Sequence, residues 1–501
     1  MDNKCPRRQK SQLSNLSKLS KMKKSLYYIL ILVLAITALP LSDSAFSDYT
    51  YAAAEEEENY TTDDIAIPDD EIPLIITEDE VTGQSIIEDK IRDDNIEKMI
   101  LREEEPEEPA NTSPAPIQKT DLITNPYKGY SYSRLKKEID KLQIQYPDLI
   151  EAESIGKSVG GRDIPLVRLG NGEKKILIIG SEHAREYATT SLIMRAIDEY
   201  SKAYVLNKKI DGTNVRNVLD KVTFYFIPML NVDGVQLILG KATAKDIKIV
   251  QKHVGKKYFK RHRSLWKANL RGVDLNRNYP FRWSSGYTTR HRGHMNFKGR
   301  TQSSEPEIRA VVSLCASNRF AYMLTMHSRG QVIYWKDRFN DVVPGAAALA
   351  SKVRSVTKYR LMPTSGWNSC AGESAKWFRA MYNKPALTVE ITPYYMPYGK
   401  ALQKKNFDKI IWKRAGSLFL KTALTTTPTD RYKIFFNSGN GKIDKRYKEI
   451  TTGKTYGILP KARRKGYKFL GWYTYAGIKI SSTSVVTQQM NTVLYAKYKK
   501  K

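Results

Sequence analysis

Four short stretches of the chain are apolar almost without interruption: "KKILIIG" (174–180), "VTFYFIPML" (222–230), "AYMLTM" (321–326) and "PALTVEI" (385–391). They are rich in Val, Ile and aromatic residues and short for helices. Unbroken runs of this kind predict strands buried on both faces of a sheet. Between them the period changes. "YSYSRLKKEIDKLQIQYP" sets Tyr132, Leu135, Ile139, Leu142 and Tyr146 on one helical face, and "TTSLIMRAIDEYSKAYV" (189–205) predicts a second helix. "SEPEIRAVVSLCAS" (304–317) predicts a third, opened by a Ser304-x-x-Glu307 capping box with Pro306 in its first turn. The alternation predicts an α/β domain over 120–425, a mixed, mostly parallel sheet with helices on both faces.

A different pattern covers the C-terminus. Residues 431–499 break into short aromatic and β-branched stretches separated by turn signals such as Asn-Ser-Gly-Asn-Gly. This predicts a separate small β unit within 426–501, behind a Thr-rich linker. Residues 55–119 are acidic, contain Pro and carry few aromatics, the composition of a disordered linker or a removable pro-segment. Residues 22–45 have a cationic start, an apolar stretch from Leu26 to Leu39 and small residues after it. That is a secretory signal pattern, somewhat short of the ~20 residues that a spanning helix needs. Residues 1–54 are therefore expected to be a signal region, and the rest secreted, extracellular or cell-wall associated, with a retained anchor as the alternative.

Charge sharpens this division. The net charge is +31, yet residues 55–110 hold twenty-two Asp/Glu against four Lys/Arg, so the folded part is strongly basic. A basic surface suits an anionic partner such as a cell-wall or surface polymer. Clusters such as "KKYFKRHR" (256–263) and "KARRKGYK" (461–468) come without a helix-turn-helix, zinc-finger or RNA-binding signature, so nucleic acid is not expected. The three cysteines, Cys5, Cys315 and Cys370, do not make a disulfide scaffold.

The polar residues at the strand ends carry the candidate chemistry. His183 and Glu186, in "SEHARE", follow the first run; Asn231 and Asp233 follow the second; His327 follows the third; Glu390 closes the fourth. Open α/β sheets bind ligands at the carboxyl ends of their strands, so these groups are expected to converge on one crevice. A histidine and a glutamate three apart are weak evidence of a metal on their own. A catalytic zinc ordinarily takes three ligands from protein, and His327 is the candidate for the third, with a buried structural histidine as the alternative.

Four motifs in order, "SEHARE", "GVDLNRNYP" (272–280), "HSRGQVIYW" (327–335) and "LTVEI" (387–391), resemble the zinc carboxypeptidase family. The wording is most similar to its bacterial branch, which includes γ-D-glutamyl-diaminopimelate peptidases of cell-wall stem peptides. The resemblance spans about 125–425 and implies a carboxypeptidase-like fold. It implies one Zn2+ held by His183, Glu186 and His327, a general base at Glu390, and a substrate carboxylate held by Asn276 and Arg277. It places Ala375 and Thr388 in the side-chain pocket. Where the family has an oxyanion-stabilising arginine this chain offers Lys267, with Arg271 close by. Near Asn368, where animal members carry a capping tyrosine, there is none. The C-terminal unit, through "GYKFLGWYT" (466–474), resembles an internalin-B-type repeat, a β-grasp-like module suited to tethering an enzyme to an anionic wall. The expected function is a secreted zinc metallocarboxypeptidase removing C-terminal residues from peptides. The alternatives are a γ-D-glutamyl-diaminopimelate-type peptidase acting on peptidoglycan stem peptides, and a non-catalytic wall-peptide binder.

Overall fold

The computed structural model describes residues 125–281, 283, 288–336, 343–362, 371–425 and 431–501. The signal-like stretch, the acidic segment, Asn368 and Cys370 lie outside these residues. Strands β1 (Ile150–Lys157), β2 (Asp163–Leu169), β3 (Lys174–Ile179), β4 (Val222–Ile227), β5 (Phe320–His327), β6 (Val332–Tyr334), β7 (Arg360–Leu361) and β8 (Ala386–Glu390) form one sheet. Its order is β1-β2-β4-β3-β5-β8-β6-β7. The four apolar runs are its centre, β4-β3-β5-β8, and all of them are parallel. Antiparallel pairs flank them, β1 with β2, β2 with β4, and β8 with β6.

The helices that matter below are α1 (Tyr132–Gln145), α2 (Ala188–Val205), α3 (Val232–Ile238), α4 (Ala244–Val254), α5 (Lys256–His262), α6 (Pro306–Ala316), α7 (Ala346–Thr357) and α8 (Ser374–Tyr382). They cover both faces, which is why the central strands are apolar throughout. Successive side chains of a strand point to opposite faces. Ile176 and Ile178 thus join α1, α2 and α7 in one core layer. Leu177 and Ile179 join α6 and α8 in the other. Helix α1 buries Leu135, Ile139 and Leu142 and is capped by Ser131, whose hydroxyl accepts from Arg134 N.

Helix α6 starts differently from its sequence signal. Pro306 is in the first turn, but Glu305 is the N-cap and the capping box does not form. Ser304 Oγ is engaged by Asn278 Nδ2 at 3.0 Å. Glu307 turns inward, where Oε1 accepts from Val159 N at 3.1 Å. A half-buried backbone donor 148 residues away takes the carboxylate that the local motif assigns to the cap.

The C-terminal sheet contains β9 (Arg431–Asn437), β10 (Tyr447–Thr451), β11 (Tyr467–Tyr473), β12 (Lys479–Ile480) and β13 (Thr492–Lys500), in the order β10-β9-β13-β11-β12. Only β9 and β13 pair in parallel. Residues 431–501 contain no helix. Tyr432, Ile434, Phe436, Trp472 and Leu494 form its core, with Phe469 against them. A register shift between Phe469 and Gly471 puts Phe469 and Trp472 on one face although they are three apart. It also sends Tyr473, which by pattern belongs to that core, to the opposite face. This sheet docks on the main domain through Asn491, whose N donates to Met381 O (2.7 Å) while its Oδ1 accepts from Lys433 N (2.6 Å).

Candidate metal centre

The parallel strands deliver their ends to one edge of the sheet. After β3 the chain turns through Gly180, where a Cβ would lie 2.7 Å from both Ile193 Cδ1 and Pro228 O. Ser181 N donates to Thr189 Oγ1 (2.8 Å), and that hydroxyl donates to Glu186 O (2.9 Å). The loop is thereby tied to the start of α2, with His183 just before a short 3-10 turn, Ala184–Glu186. His327 is the last residue of β5 and pairs in register with Glu390, the last of β8.

These placements bring three ligand-type side chains together. His183 Nδ1 is 3.0 Å from Glu186 Oε1, and His327 Nδ1 is 3.0 Å from Glu186 Oε2. The two Nδ1 atoms are 3.2 Å apart. All three residues are buried, and their ligand atoms lie within 4.8 Å of one another. The outer nitrogens are engaged by carboxylates: His183 Nε2 lies 3.0 Å from Asp274 Oδ1 and His327 Nε2 lies 3.1 Å from Glu182 Oε2. Each carboxylate favours a hydrogen on Nε2, which turns both Nδ1 lone pairs inward. Two lone pairs so close repel each other unless a cation takes both. Tetrahedral zinc, with bonds of ~2.0–2.1 Å, sets its ligand atoms about 3.3 Å apart. The donor set, its spacing and its supporting carboxylates all fit one zinc ion. Without metal the carboxylates act on the rings instead. Burial pulls the His183 pKa down, but Glu186 and Asp274 outweigh it and raise it. His327 is likewise raised well above its usual value by Glu182 and Glu186, against burial.

Nothing in the pattern singles out Glu182 or Asp274, although "SEHARE" and "GVDLNRNYP" contain them. Their roles depend on which nitrogen of each ring they reach, and only the fold shows that.

Glu390 is half-buried at the edge of this cluster, and its buried Oε2 has no hydrogen-bond partner among the described residues. Burial, then Glu186, push its pKa up to about 7. That value suits a group that takes and returns a proton near neutral pH. Tyr334 is pushed up to about 12 by burial and by Glu390 and Glu373.

Of the two candidate oxyanion cations, only Lys267 is at the centre. Its carbonyl accepts from Ala184 N at 3.0 Å, which ties it to the His183 loop. Its ammonium is lowered by burial and by Arg185, and drawn the other way by Glu186 and Asp274. Arg271 is turned away: Asn269 Oδ1 accepts from Arg271 N at 3.0 Å, closing a turn, and the guanidinium faces Glu305 at 3.7 Å.

Asn276 and Arg277 occupy a 3-10 turn, Leu275–Arg277. Asn276 Oδ1 accepts from Ser374 N at 2.9 Å, and Ser374 Oγ lies 3.1 Å from Glu182 Oε2. The start of α8 thus links the carboxylate behind His327 to the Asn-Arg pair. Arg277 Nη1 lies 3.8 Å from Glu373 Oε1, just before that helix. Gly372 (φ +63°) permits this approach, since a Cβ would lie 2.0 Å from Arg277 O. Ala375 is buried one residue into α8. Thr388 precedes Glu390 by two on β8, so it shares that face, and its Oγ1 lies 3.1 Å from Thr325 Oγ1.

The second strand contributes no ligand. Asn231 Nδ2 donates to Lys267 O (3.0 Å) and Ala268 O (3.1 Å), and its Oδ1 caps α3 through Gly234 N. Asp233 faces away from the centre and pairs with Arg162 at 2.6 Å. Both support the crevice without lining its chemistry. Sequence pattern also gives no hint of Tyr398, whose ring lies between Arg185 (4.7 Å) and Arg329 (4.8 Å). Cys315 is a buried free thiol.

The chain is similar to several known proteins. A family model described as zinc carboxypeptidase (peptidase M14) matches residues 135–477. Gamma-D-glutamyl-L-diamino acid endopeptidase 1 of Lysinibacillus sphaericus is 32% identical over 300 residues, which cover 60% of this chain and 73% of that protein. Carboxypeptidase O of Bos taurus is 26% identical over 285 residues, 52% of this chain and 71% of that protein. Among solved structures, bovine thrombin-activatable fibrinolysis inhibitor in complex with tick carboxypeptidase inhibitor is 20% identical and covers 60% of this chain and 97% of that one, with a TM-score of 0.47.

Proposed function

The chain belongs to the zinc carboxypeptidase family, and we propose that within it the enzyme is a secreted or wall-associated peptidase that cuts γ-D-glutamyl–diaminopimelate-type bonds in peptidoglycan stem peptides. The family and the His183-Glu186-His327 triad make it a zinc-dependent peptidase, which leaves the non-catalytic binder without a basis. The first expectation, trimming of ordinary C-terminal residues, gives way to the stem-peptide reading.

The observation that carries the proposal is the carboxylate of Glu373 beside Arg277: Oε1 lies 3.8 Å from Arg277 Nη1, while Oε2 is held by Lys376 Nζ at 2.6 Å. An ordinary peptide end presents a carboxylate alone, for which a planar guanidinium suffices. Diaminopimelate presents an ammonium beside a carboxylate, and a cation next to an anion complements both. The named activity of the Lysinibacillus relative supports the same choice.

Bound zinc supplies a Lewis acid that polarises a carbonyl and lowers the pKa of water towards ~7. The chain does the rest. Asn276 and Arg277 fix the departing end of the substrate. Glu390 takes a proton from the attacking water and hands it to the leaving amine, and Lys267 places positive charge where the oxyanion develops. The C-terminal sheet, which has its own core around Trp472, is a surface module in this reading; its likeness to an internalin-B-type repeat rests on "GYKFLGWYT" alone.

The test is mass spectrometry of products from a synthetic L-Ala-γ-D-Glu-diaminopimelate peptide and from an ordinary peptide, free or amidated at its C-terminus. Cleavage of the γ-D-glutamyl bond is expected. Single residues leaving the ordinary free peptide with an equal kcat/KM would overturn the reading in favour of general carboxypeptidase activity. Glu390→Gln should lower kcat/KM by about 10²–10⁴-fold and leave zinc stoichiometry unchanged.

A further inference from the structure

We propose that the outer face of the C-terminal sheet is a docking surface for a linear phosphodiester polymer of the bacterial wall. The cross-strand pairs define this face. They include Lys433–Glu449 and Phe435–Tyr447 between β9 and β10, and Lys468–Lys499, Gly471–Lys497 and Tyr473–Tyr495 between β11 and β13. Tyr473–Lys479 extends the row to β12. Lys468, Lys479, Lys497 and Lys499 are all exposed. Glu449 is the one acidic residue in these pairs. The opposite face holds the core around Trp472, and the main domain is met by Asn491, by Arg431 O and by the ring of Tyr432, none of which belongs to the cross-strand pairs named above.

Like charges directly across two strands, as in Lys468–Lys499, weaken a sheet. A face that collects them is fitted to an anion that screens them. The spacing suits a chain of charges: Lys497 and Lys499 are ~6.7 Å apart along one strand, and neighbouring strands lie ~4.8 Å away. Gly471, opposite Lys497, has no side chain, and Lys479 lies across it: a Cβ there would be 3.1 Å from Lys479 Cε, so the absent side chain brings a further ammonium next to Lys497.

The aromatic residues select the class of polyanion. Lys497 Nζ lies 4.4 Å over the ring of Tyr473, and Lys433 Nζ lies 5.2 Å over that of Tyr447. Tyr495 is met edge-on by Tyr475 at 6.2 Å. Ring faces occupied by ammonium groups are not open platforms for base stacking, on which single-stranded nucleic-acid binding depends. They hold the ammonium groups in place for phosphates instead. The choice of a wall polymer, rather than another phosphodiester, rests on the proposed wall substrate.

The test is cosedimentation of the full chain with Gram-positive sacculi, either intact or stripped of phosphodiester polymers by hydrofluoric acid, across a range of NaCl. Intact sacculi should bind about tenfold more tightly than stripped ones, with binding falling steeply in salt. Lys468→Gln, Lys497→Gln and Lys499→Gln combined should lose about tenfold and flatten the slope of log K against log salt by about 2. The same three positions changed to Arg should retain binding, and an unchanged melting temperature for the Gln variant separates lost charge from lost fold. Turnover of a soluble stem peptide should be unaltered in both. Equal binding to stripped sacculi, full binding by the Gln variant, or displacement by single-stranded DNA at a lower phosphate concentration would each overturn the proposal. Glu390→Gln protein should bind sacculi as the unaltered chain does, so the outcome is readable even if no stem peptide is cut.

Discussion

Two regions of the main domain bury several carboxylates, and they neutralise them differently. Behind α3 and α4, Arg162 bonds Asp233 and Asp246, both at 2.6 Å, so that one guanidinium serves two acids. Burial raises Asp246, and the Arg162 bonds overcome it and hold it below the usual range; the more deeply buried Asp233 stays above its range. Close by, Glu307 has no cation of its own among the described residues, and burial, Asp233 and Glu305 push it up to about 8. That carboxyl is kept neutral by a proton. At the metal centre, by contrast, Glu182, Glu186 and Asp274 surround two imidazoles whose lone pairs face each other. The first region is complete in itself, whereas the second is complete only with an added cation. A binding centre is recognisable as a buried charge cluster that does not balance on its own.

Breaking the self-sufficient region should cost the most stability. Arg162→Met leaves two buried acids unpaired and is expected to destabilise the fold by about 3–5 kcal/mol, measured by urea unfolding, while the folded fraction still binds zinc. A loss below ~1 kcal/mol would mean that water reaches those acids. Glu307→Gln should act in the opposite direction. The folded pKa of Glu307 is raised, so its contribution is fully present below the unfolded value and is lost as pH climbs towards 8. The Gln variant lacks this loss. Its advantage should grow between pH 4.5 and 8, to about 1–3 kcal/mol at neutrality, in thermal melts across that range. A constant difference would show that Glu307 does not change protonation there. Asp274→Asn sharpens the comparison from the metal side. It keeps the shape but weakens the partner of His183 Nε2, and should reduce zinc affinity about 10–100-fold in a competitive chelator titration. The metal-free protein should lose about 1–3 kcal/mol, because an amide cannot accept from both Asn276 N and Asn296 N as the carboxylate does.

The sequence shows the centre of the sheet clearly because burial on both faces leaves a local trace, an unbroken apolar run, at each of β3, β4, β5 and β8. His183, Glu186 and His327 are legible for a related reason, since each lies at or just beyond the end of such a run. What the sequence hides is the long-range pairing. Asp233 looks like a crevice residue by position, yet Arg162, seventy-one residues earlier, claims it. Ser304 and Glu307 have capping-box spacing, but the Glu307 carboxylate accepts from Val159 N instead. Arg271 follows Lys267 by four residues, and a tight turn at Asn269 suffices to send it to Glu305. Tyr473 changes faces because one register shift reverses the alternation. In each case local spacing proposes a partner and a distant residue supplies a better one.

Helix α8 has a mechanical consequence. Its first residue, Ser374, touches the Asn276 amide and the Glu182 carboxylate, while Ala380 O and Met381 O at its other end are gripped by Asn491 of the C-terminal sheet. Nine residues of helix make a stiff strut of ~13 Å. A pull on the C-terminal sheet is carried along that strut to the groups behind His327 and beside Arg277. An enzyme held at this sheet while its substrate is stretched elsewhere would therefore bear the tension at its catalytic centre, and its turnover would register load as well as concentration.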